Sequence, residues 1–220
     1  MNQIQKKQTL KYTFTVEGHT EKWYLEWLEN KINAHPKAEF NVDIDPKREN
    51  PSSFGKITTK RTTPEIVHLC DIESNCAEHK KKFENILSEL NTVKKQKGID
   101  YGLGYSNYTF ELWMILHKIE FQTPLTDRNQ YLQFVNKAFG NKYNSIREFK
   151  SKENFKSCLE QLTIDNVIDA IKRSEKIEKD NERNGFKPKR KYGFSYYEEN
   201  PSLSIHKFIK KILTQCGIMK

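Results

Sequence analysis

The stretch LKYTFTVEGHTE, residues 10–21, decides the fold class of this chain. Its first half alternates apolar and polar residues, and this period of two predicts a β-strand over 10–16 that ends at Glu17. A helix is expected directly afterwards, capped by Thr20 and carrying apolar residues at helical spacing over 23–32. A strand followed at once by an amphipathic helix is the repeating unit of α/β proteins.

The same alternation continues through the first half of the chain. Further strands are predicted at 40–44, 65–70 and 99–105, and further helices at 76–96 and 108–117. Residues 46–63 are rich in Pro, Ser, Thr and basic residues and are expected to form a long loop. This order predicts a mainly parallel four-stranded sheet flanked by helices.

After about residue 120 the pattern changes to helices alone. They are predicted at 127–139, 151–162, 165–183 and 202–216. We therefore expect an α/β core over residues 8–120 and a helical C-terminal extension over 121–220, packed on the core as one compact unit.

The composition favours a soluble, cytoplasmic protein with a polyanionic partner. Lys and Arg total 38 against 29 acidic residues, which gives a formal charge of +9 and favours nucleic acid as the partner. No apolar run approaches the ~20 residues of a membrane span, so no membrane association is expected. The four cysteines lie at irregular spacings, as is typical of reduced thiols in the cytosol.

Carboxylates follow the predicted strands. Glu17 ends the first strand and Glu21 lies in the next helix, Asp71 and Glu73 follow the third strand, and Glu111 begins the helix after the fourth. If the strands are parallel, these side chains meet at one edge of the sheet, where hard oxygen ligands suit Mg²⁺ or Mn²⁺. The alternative is that they are ordinary solvated residues at strand ends and helix starts, and spacing alone favours that alternative.

Basic residues interleaved with aromatic ones suggest a nucleic-acid groove. The segment FKPKRKYGF, residues 186–194, could follow a phosphate backbone while its rings stack on bases, and the basic loop after the second strand could form the opposite wall. A solvated loop with a few packed rings is the alternative. The predicted nucleic-acid contacts are Lys47, Arg48, Lys60, Arg61, Asn107, Lys187, Lys189, Arg190, Lys191 and Asn200.

A zinc site is a weaker interpretation of the third strand and its surroundings. His68, Cys70, Cys76 and His79 lie within twelve residues, but structural zinc sites pair their ligands at a tighter spacing. A buried, reduced thiol is therefore the expected state of Cys70.

Four segments resemble motifs of a known family. Residues 16–21, VEGHTE, resemble the first motif of TOPRIM domains, and residues 70–73, CDIE, are similar to the second. Residues 106–113, SNYTFELW, look like the S-N-P-C-F-E-L-W signature of RloB-like proteins, a branch of TOPRIM proteins found beside restriction and phage-defence genes. The NPS element at residues 200–202 resembles the closing motif of that family, so the resemblance extends over about residues 12–213.

The resemblance implies a TOPRIM-like sheet and a nuclease that requires Mg²⁺ or Mn²⁺. It implies metal ligation by Glu17, Asp71 and Glu73, with Glu17 as the main ligand or the general base and Glu21 assisting the metal. The sequence departs from the family motifs in two places, and both bear on the assignment of these roles. The second motif is D-x-E instead of D-x-D, and Tyr108 replaces the proline of the signature.

The sequence thus predicts a Mg²⁺-dependent nuclease that acts on DNA or RNA, including tRNA, as an antiphage or restriction-associated effector. No G-x-x-x-x-G-K-[ST] phosphate-binding sequence is present, so any ATPase sensor would be a separately encoded partner. The alternative is a non-catalytic module of the same fold that binds nucleic acid or a protein partner. A third hypothesis is phosphoryl chemistry on a small nucleotide.

Overall fold

A five-stranded sheet with the strand order β2-β1-β3-β4-β7 organises the computed structural model, which describes residues 7–57 and 65–220. The first four of these strands are parallel, and β7 pairs antiparallel to β4 at the edge. A separate antiparallel hairpin consists of β5 and β6. The strands are β1 (Thr9–Val16), β2 (Asn41–Lys47), β3 (Glu65–Asp71), β4 (Asp100–Asn107), β5 (Lys189–Lys191), β6 (Phe194–Tyr196) and β7 (Ser202–Leu203).

Helices connect and cover these strands. They are α1 (His19–Asn33), α2 (Pro51–Ile57), α3 (Ala77–Lys97), α4 (Glu111–Leu116), α5 (Tyr131–Phe139), α6 (Ile146–Phe149), α7 (Lys152–Glu160), α8 (Ile164–Arg183) and α9 (Ile205–Gln215). A short 3₁₀ turn at Arg128–Gln130 precedes α5. Among residues 7–57 and 65–220, no helix is both long enough and apolar enough to cross a membrane.

The predicted mainly parallel sheet flanked by helices is confirmed, but two expectations about strands were wrong. The sheet has five strands instead of four, and the region after residue 120 contains β5, β6 and β7 as well as helices. Each of these three strands has only two or three residues, which is too short for a period of two to appear in the sequence.

Two local predictions were also wrong. The described part of the loop expected over 46–63 contains the end of β2 and the helix α2, whose seven residues are too few to show a helical period. Residues 58–63 of that loop lie outside the described residues. Thr20 does not cap α1: the N-cap residue is Gly18 in an extended conformation, without a side-chain hydrogen bond. The hydroxyl of Thr20 donates instead to the carboxylate of Glu21.

The sheet separates two hydrophobic clusters. On one face, β3 directs Val67 and Leu69 toward a large cluster that contains residues of α1, α4, α5 and α7–α9. On the other face, Ile66 and Cys70 pack with side chains of α2, α3 and the β5–β6 hairpin. β3 is therefore covered on both sides, as its nearly continuous apolar sequence predicts.

Candidate active site

The carboxyl ends of β1, β3 and β4 lie side by side. Val16 of β1 pairs with Leu69 of β3, and Asp71 at the end of β3 pairs with Ser106 of β4. Glu17 therefore lies beside Asp71, and the Asp71 N–H donates a long hydrogen bond of 3.4 Å to Glu17 Oε2. The parallel register thus places two of the predicted acidic residues next to each other.

Gly18 allows a third carboxylate to approach the same backbone. A Cβ atom at Gly18 would lie 2.5 Å from Glu21 Oε2, so any larger residue would displace this carboxylate. The φ angle of Gly18 is −116°, which all residues can adopt. The glycine therefore leaves space for the Glu21 carboxylate in its present position and is not needed for an unusual turn. Glu21 itself is only 5% exposed and accepts a hydrogen bond of 3.0 Å from the Thr20 hydroxyl.

Glu111 is a fully buried carboxylate at the start of α4. It accepts a hydrogen bond from the Thr109 hydroxyl, and Lys150 Nζ lies 2.9 Å from its Oε1 atom. Lys150 caps the C-terminus of α6, which belongs to the second half of the chain. A lysine from the C-terminal region therefore provides the counter-ion of a carboxylate that follows β4.

These charges influence one another. Desolvation raises the pKa of Asp71 well above its usual range, and the charges of Glu21, Glu111 and Glu17 raise it further, whereas Lys150 lowers it. Desolvation also raises the pKa of Glu21, against the effect of Lys150 and with a contribution from Glu111. The pKa of Glu17 is raised for the same reasons, by desolvation first and by Glu21 among its neighbours. Four carboxylates thus form one repulsive group, which we call the acidic cluster.

Glu73 lies at the margin of this cluster and is engaged by cations. Its carboxylate pairs with Lys82, with His79 Nε2 at 3.4 Å and with Arg128 Nη1 at 3.5 Å. Desolvation acts to raise its pKa, but Lys82 and the other cations outweigh this effect and the pKa is lowered. Its φ of +65° lies in the left-handed region, which is uncommon for a residue with a side chain.

The cations of the site were not found from the sequence. Lys82 is nine residues from Glu73 on α3, whereas Arg128 and Lys150 follow β4 by more than twenty residues. None of them belongs to a recognisable motif, and their roles depend on how the C-terminal helices pack on the sheet. Only a three-dimensional structure could identify them.

Whether the site could bind a divalent cation depends on which side-chain atoms it offers as ligands. In the described part of the chain, no group of three or more His, Cys, Asp or Glu side chains has the close arrangement of a metal site. The acidic cluster nevertheless supplies the oxygen ligands that Mg²⁺ and Mn²⁺ prefer. A cation between Glu17 and Asp71 would also relieve the repulsion that contributes to their raised pKa values. The chemistry of the donors therefore fits such an ion, and the predicted set of Glu17, Asp71 and Glu73 stays a prediction.

The predicted basic segment forms the β5–β6 hairpin. Tyr192 and Gly193 occupy its turn with positive φ angles, and Phe186 and Tyr192 are 40% and 45% exposed. Lys189 pairs with Glu198 at 2.6 Å. The structure thus presents two exposed rings beside the basic residues Lys187, Lys189, Arg190 and Lys191.

The hairpin packs on α3, the helix that also carries Lys82. The rings of Tyr196 and Phe83 meet edge to face with 4.9 Å between their centroids, and Lys191 Nζ lies 2.5 Å from Glu84 Oε2. The N-terminal half of α3 therefore joins the basic hairpin to the margin of the acidic cluster.

The two predicted asparagines have partners within the protein. Asn107 is fully buried, and its amide donates to the carbonyl groups of Tyr197, Glu198 and Glu199 at 3.4, 2.8 and 3.1 Å. The amide of Asn200 donates to the Asn107 carbonyl oxygen at 2.7 Å. Both side chains therefore hold the loop before β7 against the end of β4.

Two of the remaining predicted contacts, Lys47 and Arg48, lie at the end of β2. Lys47 Nζ is 2.8 Å from Asp45 Oδ1, and Arg48 contacts the imidazole of His19. Lys60 and Arg61 lie outside the described residues.

Together, the fold and the site define an α/β protein whose mainly parallel sheet carries an acidic cluster at the carboxyl ends of its strands. The family model described as RloB-like protein matches residues 12–212, so the chain belongs to the RloB-like family. Comparison with curated proteins gave no match, and comparison with solved structures gave none.

Proposed function

We propose that this RloB-like protein is a nuclease that hydrolyses phosphodiester bonds in DNA or RNA with the help of Mg²⁺ or Mn²⁺. The observation that supports the proposal best is the acidic cluster, in which the pKa values of Glu17, Glu21 and Asp71 are raised and the charge of Glu111 contributes to the rise at Glu21 and Asp71. Repulsion of this kind destabilises a fold and is typical of sites that bind a cation. The order of the acidic motifs also supports the TOPRIM-like assignment, which belongs to the proposal.

Glu17 and Asp71 are the proposed ligands of the metal ion. When bound, the ion would polarise the phosphodiester and lower the pKa of a water molecule. Glu17 also has a raised pKa, which suits it to accept a proton from the attacking water. Glu21 and Glu111 would add negative charge around the bound ion. Glu73 would become a further ligand if its carboxylate separated from the cations with which it pairs.

Lys150 and Lys82 have roles that complement these carboxylates. Desolvation acts to lower the pKa of Lys150, yet Glu111 and Asp71 outweigh it and keep the ammonium group charged. A permanent cation beside Asp71 could also contact a phosphate oxygen of the substrate. Lys82, paired with Glu73, would provide a second such contact at the margin.

The β5–β6 hairpin is the proposed wall of the nucleic-acid groove. It carries exposed aromatic and basic side chains, and α3, on which it packs, pairs through Lys82 with Glu73 at the margin of the acidic cluster. Basic residues contact phosphates and rings stack on bases without requiring a sequence. The net charge of +9 supports a polyanionic substrate.

The proposal is tested by incubating the purified protein with panels of DNA, RNA and tRNA in Mg²⁺, Mn²⁺ or EDTA. Glu17→Gln and Asp71→Asn should each reduce cleavage by at least about 100-fold, because each removes a charged group of the reacting site. Glu26→Gln on α1 and Asp43→Asn on β2 are matched controls, since they make the same chemical change at exposed ion pairs outside the cluster. Cleavage that survives both site substitutions would contradict the assignment.

One observation favours a second candidate, a non-catalytic module that binds nucleic acid. Lys150 and Lys82 already pair with Glu111 and Glu73, so part of the acidic charge is neutralised without a metal ion. Binding that persists in EDTA, with no cleavage in either metal, would favour this candidate. A thermal shift with Mg²⁺ separates the two further, because only a metal site should raise the Tm of wild type and not that of Glu17→Gln.

The biological setting is part of the proposal. The family resemblance implies an effector of an antiphage or restriction-associated system, in which a separately encoded ATPase would act as the sensor. Co-expression with a neighbouring ATPase gene and phage challenge would test this setting, with Glu17→Gln as the inactive control.

A further inference from the structure

His19 is an exposed residue two positions after Glu17, at the start of α1. The Cα atoms of residues two positions apart are separated by at most about 7 Å, so His19 lies directly beside the acidic cluster. Successive phosphates of one stacked strand follow each other at about 3.4 Å along its axis. A base in contact with the His19 ring would therefore belong to a nucleotide one or two positions from a phosphate at Glu17.

The imidazole of His19 is supported on one face by Trp23. The two rings are stacked, with 5.5 Å between their centroids and 21° between their planes. Trp23 is partly buried against the large hydrophobic cluster, where its ring lies 6.0 Å from that of the buried Phe155. One face of the imidazole is therefore fixed to the core, and the exposed area of His19 lies on the opposite face and the edge of the ring.

Arg48 holds the same ring by its edge. This exposed residue follows β2, and its Nη1 atom donates to His19 Nε2. A guanidinium group has five donors and no acceptor, so the contact with His19 leaves further donors for a phosphate. Arg48 and Glu17 also line the same cavity, which has a volume of about 290 Å³. We call His19, Trp23 and Arg48 the ring platform.

We propose that the ring platform stacks one unpaired base of the substrate, so that the proposed nuclease acts on single-stranded nucleic acid or on an unpaired segment of a folded one. Neighbouring bases cover both faces of a base inside a duplex, whereas an unpaired base can stack on a protein ring. The open face of His19 would receive that base, and Arg48 would contact an adjacent phosphate. The inference rests on the proposed function, because a phosphate at Glu17 positions the base.

Further rings and cations lie on the other side of the acidic cluster. Phe186 and Tyr192 expose their rings at the β5–β6 hairpin, which packs on α3, and Lys82 of α3 pairs with Glu73. In the sheet order β2-β1-β3, the ring platform follows β1 and β2, whereas Glu73 follows β3. A single strand that crosses the carboxyl edge of the sheet would thus have stacking and phosphate contacts on both sides of the carboxylates.

The alternative role of His19 is to tie the segment after β2 to α1. That role needs only the acceptor that Arg48 uses, and not a ring with an open face. Two variants separate the roles, because His19→Gln keeps a side-chain acceptor without a ring and His19→Phe keeps a ring without an acceptor. His19 is exposed, so all its variants should fold, which thermal unfolding and circular dichroism would check.

The test measures binding in EDTA, so that it does not depend on cleavage. Fluorescence anisotropy compares single-stranded DNA and RNA of one mixed sequence with the corresponding duplexes. His19→Ala and His19→Gln should each weaken single-strand binding at least about fivefold and leave duplex binding within about twofold, whereas His19→Phe should keep single-strand binding within about twofold. His35→Ala is the matched control, because His35 lies beyond the opposite end of the 15-residue helix α1, about 22 Å away.

A second measurement tests the phosphate contact of Arg48. Arg48→Ala should reduce the slope of log K against log salt concentration by about 1 for the single strands. An unchanged slope would remove Arg48 from the proposed contacts.

The outcomes are distinct from those of the cleavage test. Equal single-strand binding by wild type and His19→Ala would overturn the proposal, and so would normal binding by His19→Gln together with weak binding by His19→Phe. Cleavage of duplexes that His19→Ala does not affect would keep the nuclease and reject the ring platform. Single-strand binding that depends on the His19 ring, in a protein that cleaves nothing, would keep the platform and reject the nuclease.

Discussion

Replacing Lys150 by methionine should destabilise the protein through Glu111. The Glu111 side chain has no exposed area, and Lys150 Nζ at 2.9 Å from its Oε1 atom is the cation that compensates its charge. Methionine keeps the length and apolar stem of lysine but removes the charge. Glu111 would then be left as a buried carboxylate with the hydroxyl of Thr109 as its remaining hydrogen-bond donor.

The expected loss is about 3 kcal/mol in the free energy of unfolding at pH 7. Two unit charges at this separation attract each other by about 6 kcal/mol at an effective dielectric constant of ~20. Removing one partner of a buried pair typically costs about 3–5 kcal/mol, because the other charge stays buried. The Lys150 side chain is 32% exposed, so solvent screens part of the attraction and we expect the lower end of that range. The Tm should fall by roughly 6–12 °C for a chain of this size.

Urea unfolding of four proteins measures the effect. Wild type, Lys150→Met, Glu111→Gln and the double variant form a cycle, and the coupling between the two sites should be about 2 kcal/mol. Lys156→Met, at an exposed position of α7, is the matched control and should stay within about 0.5 kcal/mol of wild type. The reasoning is refuted if Lys150→Met lies within that same interval, or if it destabilises the Glu111→Gln protein as much as wild type.

Three further predictions concern pH, the loop before β7 and the hairpin. Desolvation lowers the pKa of His68 to about 4 and that of His117 to about 3. The unfolded chain therefore binds protons first as the pH falls below about 6.5, and each imidazole should remove about 2 kcal/mol of stability between pH 7 and pH 5. Urea unfolding should show this loss reduced in His117→Phe, and equal losses would contradict it. Asn107→Ala should lower the unfolding free energy by about 2 kcal/mol and speed hydrogen exchange in residues 197–200, because three carbonyl groups lose their donor. Arg190→Ala should weaken nucleic-acid binding and reduce the slope of log K against log salt concentration by about 1, whereas an unchanged slope would exclude a phosphate contact.

The central sheet was predictable because its strands follow simple patterns. β1 alternates apolar and polar residues, and β3 is a mostly apolar run, so the predicted bounds of both strands agree with the structure to within a residue or two. β7 and the β5–β6 hairpin could not be predicted in the same way, because two or three residues show no period. Their positions depend on tertiary contacts such as the packing of Tyr196 against Phe83.

The candidate site likewise has a part that the sequence predicts and a part that depends on tertiary contacts. Its carboxylates follow strands, and parallel strands end at a common edge, so the proximity of Glu17 and Asp71 could be expected from the order of the elements. The engagement of Glu73 by cations could not, because Lys82 and Arg128 reach it from separate helical segments. Sequence patterns show which residues lie at the end of a strand. They do not show which side chains of later helices pack beside those residues.

The partly exposed Lys150 brings a positive charge to the acidic cluster before any ligand binds. Without a cation, Glu21, Asp71 and Glu111 would have to share protons, since desolvation and mutual repulsion disfavour three charges in one buried space. Lys150 pairs with Glu111 and also lowers the pKa of Glu21 and Asp71, so its positive charge acts on all three carboxylates. Under the proposed function, a divalent cation would add what a lysine cannot provide, which is to bind and polarise a water molecule at Glu17. Under the proposed function, the negative charge that Lys150 leaves unbalanced in the cluster is the charge that a bound metal ion would neutralise.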